Sequence, residues 1–192
     1  MTHELIENAK VYGLDESVRA SKYPMAADTG ACSHAATART HRLAACPIGS
    51  GHDQFLTGIV VQFDLTFSIK AWIEAERYHF LDFVSSQSTM HRITQMDAGA
   101  QCNEYVSPVV LACLDDLVTQ YRAEPTPDNY LRVLYNVPAG FRLTARMTTN
   151  YRQLKTIYAQ RRNHRLPEWR EFCAWVETLP CAEWMTGVVS SE

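Results

Sequence analysis

The sequence predicts an α+β domain in which an antiparallel or mixed sheet is flanked by helices, and three features carry that expectation. Apolar residues occupy every odd position from Ile59 to Ile69, while Gln62, Asp64, Thr66 and Ser68 fill four of the five even ones. Period two over that length describes a strand with one buried face and one wet face. A shorter run alternates in the same way, with Phe141, Leu143, Ala145 and Met147 set against Arg142, Thr144 and Arg146. Between the two runs, Val110, Cys113, Leu114, Leu117, Val118 and Tyr121 recur at helical spacing and form one apolar stripe.

The remaining elements follow in order. After the long strand, Trp72, Ala75, His79 and Phe83 fall near helical spacing, so a helix is expected over 71–83. The striped helix should start near Ser107-Pro108, where proline is tolerated in a first turn, and stop before Glu124-Pro125-Thr126-Pro127-Asp128. The second alternating run should lead into a helix over about 148–162. A last helix begins at Pro167 and carries Trp169, Phe172, Cys173 and Val176 inward, followed by an irregular tail over 181–192. Small residues dominate 24–51, a composition shared by flexible loops and functional ones. A chain of 192 residues, 46% hydrophobic and 20% charged, is expected to form one domain over 1–192.

Composition narrows the function. A formal net charge of −3 argues against adhesion of the whole molecule to nucleic acid or an anionic membrane. The N-terminus shows no basic stretch followed by an apolar run, and no segment reaches the ~20 apolar residues of a membrane helix. The six cysteines form no C-x-x-C pair, and Cys32, His34, His41 and Cys46 match no zinc spacing. No metal site is expected, and a reducing cytoplasm is the expected compartment. G-x-S-x-G, P-loop and G-x-G-x-x-G patterns are all absent.

Two clusters carry chemistry. Arg142 to Arg165 holds seven cationic residues and no acidic one in a chain that is acidic overall, a local field suited to phosphate or another anion, or to a solvated basic face. At ~100° per residue, Asn150 and Arg161 share the apolar face of Met147, Leu154 and Ile157. A guanidinium there must meet a core carboxylate, a phosphate or a polarised ligand group. Arg152 falls about 200° from Asn150, so a site using both would lie between subunits. The other cluster runs from Glu74, Glu76, Arg77, Tyr78 and His79 to Ser85-Ser86-Gln87-Ser88-Thr89-Met90-His91-Arg92. Hydroxyls and an amide beside a His-Arg pair suit a base edge and a phosphate, and equally suit an ordinary capped turn.

In this order the clusters resemble the flavin-dependent thymidylate synthase (ThyX) family. The helix Asn150-Tyr151-Arg152-Gln153-Leu154, then Arg161 and Trp169, is similar to the family's N-x-R-x-L…R helix. Gly51-His52-Asp53 is similar to its Gly-His-Glu entry into the strand, and Gln87 to Arg92 to its Glu-x-Ser-x-Arg-Tyr turn. Ser17-Val18-Arg19-Ala20-Ser21 is similar too. The chain departs where the family has Arg-His-Arg, reading Arg77-Tyr78-His79-Phe80-Leu81, and Ser86-Gln87 stands for Asn-Glu.

The resemblance implies C5-methylation of a uracil nucleotide, dUMP or UMP. Methylenetetrahydrofolate (5,10-methylenetetrahydrofolate) would give the carbon, reduced FAD the hydride, and NADPH would recharge the flavin. It implies Arg161 at the uracil ring as the catalytic residue, and Arg92 and Arg132 on the phosphate. Glu76, Gln87, Ser88, Thr89 and His91 complete the substrate side. His52, His79, Ser86, Asn150 and Arg152 face the flavin. It further implies a homotetramer with intersubunit active sites. The alternatives are a catalytically inactive nucleotide-binding relative and an RNA-binding module using Arg161 to Arg165.

Overall fold

The computed structural model describes residues 5–187. Strand β1 (Ile6–Tyr12) is followed by Gly13, whose φ of 73° turns the chain into helix α1 (Leu14–Ala20). A Cβ at Gly13 would also press on the Gly58 carbonyl oxygen, so glycine is required there twice over. The stretch 24–51 carries a helix of its own, α2 (Ala38–Ala44), closed by a Thr37–Thr40 capping box.

Strand β2 (Val60–Ser68) matches the expected alternating run to within a residue at either end, and Ser68 caps helix α3 (Ile69–Ala75) through the Ala71 amide. Here the sequence expectation is corrected. The helix ends at Ala75, and the chain turns into a strand, β3 (Asp82–Ser86). Phe83 therefore belongs to a strand, because Asp82 to Ser86 finds an open partner edge on the second alternating run. That run is β4 (Arg142–Asn150), and it keeps Thr148 and Thr149 in the sheet because all nine of its residues pair with β2.

Between β3 and β4 come α4 (Thr89–Arg92), α5 (Ala98–Gln101), α6 (Pro108–Ala123) and α7 (Pro127–Tyr135). After β4 come α8 (Tyr151–Arg161), α9 (Pro167–Val176) and α10 (Glu183–Thr186). The last is a helix within the expected irregular tail; 188–192 lie outside the described residues.

The sheet has the order β1-β2-β4-β3 with every pair antiparallel, so β1 and β3 are its edges. Its apolar face (Val61, Phe63, Leu65, Phe67, Ala145, Met147) packs on Leu154, Ile157, Trp169, Phe172 and Val176 of α8 and α9. A second cluster, with Leu114, Val118, Val133 and Phe141, joins α6 and α7 to the start of β4. No helix among the described residues is long and apolar enough to cross a membrane.

Candidate functional site

Arg161 points inward, as the helix geometry requires, and its side chain is 8% exposed. Its Nη1 donates to Glu74 Oε2 at 2.8 Å and its Nε to the Tyr78 hydroxyl at 2.6 Å. The guanidinium also stacks 4.9 Å from the Trp169 ring centre. Of the partners the sequence allows, the structure supplies the core carboxylate. Glu74 further accepts from Lys70 at 3.1 Å and lies 3.1 Å from Nε2 of His164. Burial opposes ionisation of Glu74, yet the Lys70 hydrogen bond and the charges of His164, Lys70 and Arg161 outweigh it and hold the carboxyl below its ordinary range. Nδ1 of His164 accepts the Leu166 amide at 3.2 Å, and its Nε2 lies 2.7 Å from Arg161 Nη1 as well as beside Glu74. Nη2 of Arg161 has no hydrogen-bond partner among the described residues, and neither has the buried Trp169 indole N–H.

Asn150 is not on the helix. It is extended, ends β4 and caps α8 by accepting the Gln153 amide at 2.9 Å. The 200° separation from Arg152 therefore does not apply, and the two side chains line one cavity of about 530 Å³ with Gln54, Phe80, Gln153 and Thr156. Arg152 is fixed there by Asp53 at 3.1 Å and Gln54 at 2.8 Å. Asp53 is fully buried and also binds Lys155 at 3.0 Å, whose ammonium takes the Ala44 and Cys46 carbonyls at 2.7 and 2.6 Å. Asp53, Gln54 and Lys155 carry no expected site role, although Asp53 closes the Gly51-His52-Asp53 motif and Lys155 belongs to the cationic run from Arg142 to Arg165.

A second cavity of about 530 Å³, lined by His52, Arg39, Leu43 and Phe55, adjoins the first through Gln54. His79 is exposed, edge-on to Phe80 at 4.9 Å. Thus His52, Asn150 and Arg152 line two adjoining cavities together with Phe80, the neighbour of His79 two residues before β3, while Glu76 is the C-cap of α3.

The rest gathers at the other end of β3. Ser86 and Gln87 line a groove of about 440 Å³ on the polar face of the sheet with Glu7, Asp64, Thr66 and Thr144. Gln87 extends the ladder, its side-chain carbonyl accepting the Thr144 amide at 2.8 Å. Ser88 precedes α4, which presents His91 and Arg92 to solvent; Arg92 bonds Gln95 at 2.8 Å. The Tyr130 hydroxyl on α7 holds the Met90 carbonyl at 2.8 Å. Arg132 lies on the same helix but leaves it about 200° away from Tyr130. Among the described residues no ion pair or hydrogen bond joins it to Arg92.

The structure therefore sorts the expected residues into two groups at opposite ends of a five-residue strand, with Arg161 in neither. Ser86 lies with the substrate-side residue Gln87.

An α+β fold with an antiparallel four-stranded sheet under helices, and polar clusters at both ends of one edge strand, defines the class of fold. Solved structures share it. A crystal structure of the flavin-dependent thymidylate synthase ThyX from Helicobacter pylori, complexed with FAD and dUMP, superposes with a TM-score of 0.69 at 15% identity, covering 95% of this chain and 97% of that one. A second structure of Helicobacter pylori ThyX with FAD and dUMP gives 0.67 at 17% identity, over 94% and 95%. No family model and no curated protein matches the sequence. The chain has the ThyX fold over nearly its whole length.

Proposed function

We propose that the chain is a subunit of a flavin-dependent enzyme that methylates C5 of a uracil nucleotide, dUMP or UMP. The observation that carries this reading is the placing of His52, Asn150 and Arg152 around two adjoining cavities, each within the size range of ligand sites, with His79 edge-on to Phe80 of the first. Together they offer room for a dinucleotide, with Phe80 and Phe55 as apolar walls and Arg39 and Arg152 as cations for a pyrophosphate. FAD held there would supply the hydride, 5,10-methylenetetrahydrofolate the carbon and NADPH the reducing equivalents.

The chain's own part is positioning and charge. Arg152, tethered to Asp53 and Gln54, presents a fixed cation to the cavity. Gln87, Ser88, Thr89 and His91 offer neutral and weakly basic groups to a base, and Arg92 and Arg132 are exposed cations for the phosphate. Arg161 keeps one free arm, Nη2, for a uracil carbonyl; its other donors serve Glu74, Tyr78 and His164. A homotetramer with shared sites belongs to the same reading.

The Glu74 pair favours a second reading, a ThyX-like protein that binds a nucleotide without turning it over, since the charge meant for the base is already met. Purified protein titrated with FAD and incubated with C5-tritiated dUMP or UMP separates them. Flavin uptake with tritium release supports the enzyme, and nucleotide binding without release selects the second reading. Protein that takes up neither sinks both.

A further inference from the structure

Helix α3 carries a carboxylate at its unfavourable end. Glu74 lies in the last turn of Ile69–Ala75, where the carbonyl ends of the helix repel negative charge. The groups around it hold it there instead. Lys70, one turn earlier, reaches Oε1 at 3.1 Å, and Arg161 reaches Oε2 at 2.8 Å from α8. Nε2 of His164 lies 3.1 Å from the same oxygen, and Arg165 adds its charge beside that ring. Glu168, at the start of α9, is engaged elsewhere, accepting from the Ser68 hydroxyl at 2.6 Å.

Donors outnumber acceptors in this cluster. Arg161 gives Nε to Tyr78 and divides Nη1 between Glu74 and His164. Nη2 is left over, and so is the indole N–H of Trp169, a wholly buried ring on which the guanidinium stacks. Buried donors are matched as a rule, so a surplus of them marks a place suited to an acceptor. Glu74 is the one carboxylate that meets these cations among the described residues. It is also placed to leave. Its side chain is 13% exposed and that of Lys70 53%, so the cluster opens to the surface along α3. A Glu74 carboxylate turned outward regains water and keeps Lys70 as a partner one turn away, while Tyr78 and Trp169 retain Arg161.

We infer that Lys70, Arg161 and His164 form an oxyanion site that Glu74 fills from within, and that a carboxylate or phosphate group of a ligand enters by displacing the Glu74 side chain. The contact is autoinhibitory: Glu74 lowers the affinity of the site for any other anion without walling it off. A nucleotide that reached Arg161 would have to displace Glu74 first. That consequence rests on the reading above; the oxyanion site does not.

Inorganic phosphate and acetate, titrated separately by calorimetry, test the site and tell the two kinds of oxyanion apart. Glu74→Gln keeps the length of the side chain and an acceptor oxygen for Arg161 but removes the charge. It should bind one of the two anions roughly tenfold more tightly than the wild type. Glu74→Asp keeps the charge and shortens its reach, so it should show a smaller gain in the same direction, and it decides the matter if circular dichroism shows the glutamine variant unfolded. Arg161→Met added to Glu74→Gln should remove the gain. Equal anion affinities in the wild type and both Glu74 variants overturn the inference, as does a gain that survives Arg161→Met. Tighter anion binding in variants that take up neither dUMP nor UMP upholds the oxyanion site and defeats only the nucleotide reading. Nucleotide binding beside unchanged anion affinities does the reverse.

Discussion

Arg161 and Arg92 are both assigned to a nucleotide by resemblance, and the fold treats them in opposite ways. Arg161 lies behind the sheet, stacked on Trp169 and bonded to Glu74 and Tyr78. Arg92 stands in solvent on a four-residue helix with Gln95 as its partner. Burial converts a charge into a structural constraint, because desolvation obliges the chain to supply the counter-charge itself. Exposure leaves the same group free for a ligand. The contrast yields predictions whose sizes should differ in a fixed order.

Glu74→Ala should cost most. It strands the Arg161 guanidinium with a tyrosine hydroxyl and a histidine, and a buried charge deprived of its partner costs about 3 kcal/mol. Urea unfolding measures it; a loss under about 1 kcal/mol would mean that Arg161 swings out to water and that its burial is not enforced. Lys155→Ala should come next, at about 2 kcal/mol, since Asp53 keeps Arg152 while the Ala44 and Cys46 carbonyls lose their donor. Limited proteolysis should then cut within 45–52, and a wild-type cleavage pattern would separate Lys155 from the anchoring of α2.

Acid should expose the same cluster in two windows. Burial, and the charges of Arg161, Lys70 and Arg165, hold the His164 pKa below 6.5 against the pull of Glu74. The unfolded chain then binds a proton that the folded one refuses, so stability falls as pH drops below 6.5. Glu74 has its pKa depressed in the folded state, so its contribution is complete above about 4.5 and is lost as pH falls through the folded value. His164→Gln should flatten the first window and Glu74→Gln the second. Unchanged slopes in both variants would detach the cluster from acid stability.

How much of this the sequence contained depends on the range of the interactions. β2, α6 and the inward position of Arg161 follow from local periodicity, and the structure bears them out. β3 was hidden, because Phe83 continues a helical spacing from Trp72 and only the long-range edge of β4 makes a strand of Asp82 to Ser86. Asn150 reads as helical for a related reason: pairing with Val60 extends β4 by residues whose own spacing fits α8 equally well. Glu74 was visible as one of several carboxylates, but nothing in the sequence says that α3 lies against the end of α8. The two-ended arrangement of the site residues likewise depends on β3 running antiparallel to β4, a tertiary fact.

The smallest effect on stability should come from Arg92→Ala. The side chain is exposed and its bond to Gln95 is local, so urea unfolding should change by less than about 0.5 kcal/mol. A charged hydrogen bond to a ligand phosphate is worth far more than that exposed contact, because the anion brings its own desolvated charge to a cation with no counter-ion among the described residues. Nucleotide affinity, measured by calorimetry with dUMP and UMP, should fall at least tenfold, about 1.4 kcal/mol. An Arg92→Ala chain that binds both nucleotides as the wild type does would move the phosphate site away from α4.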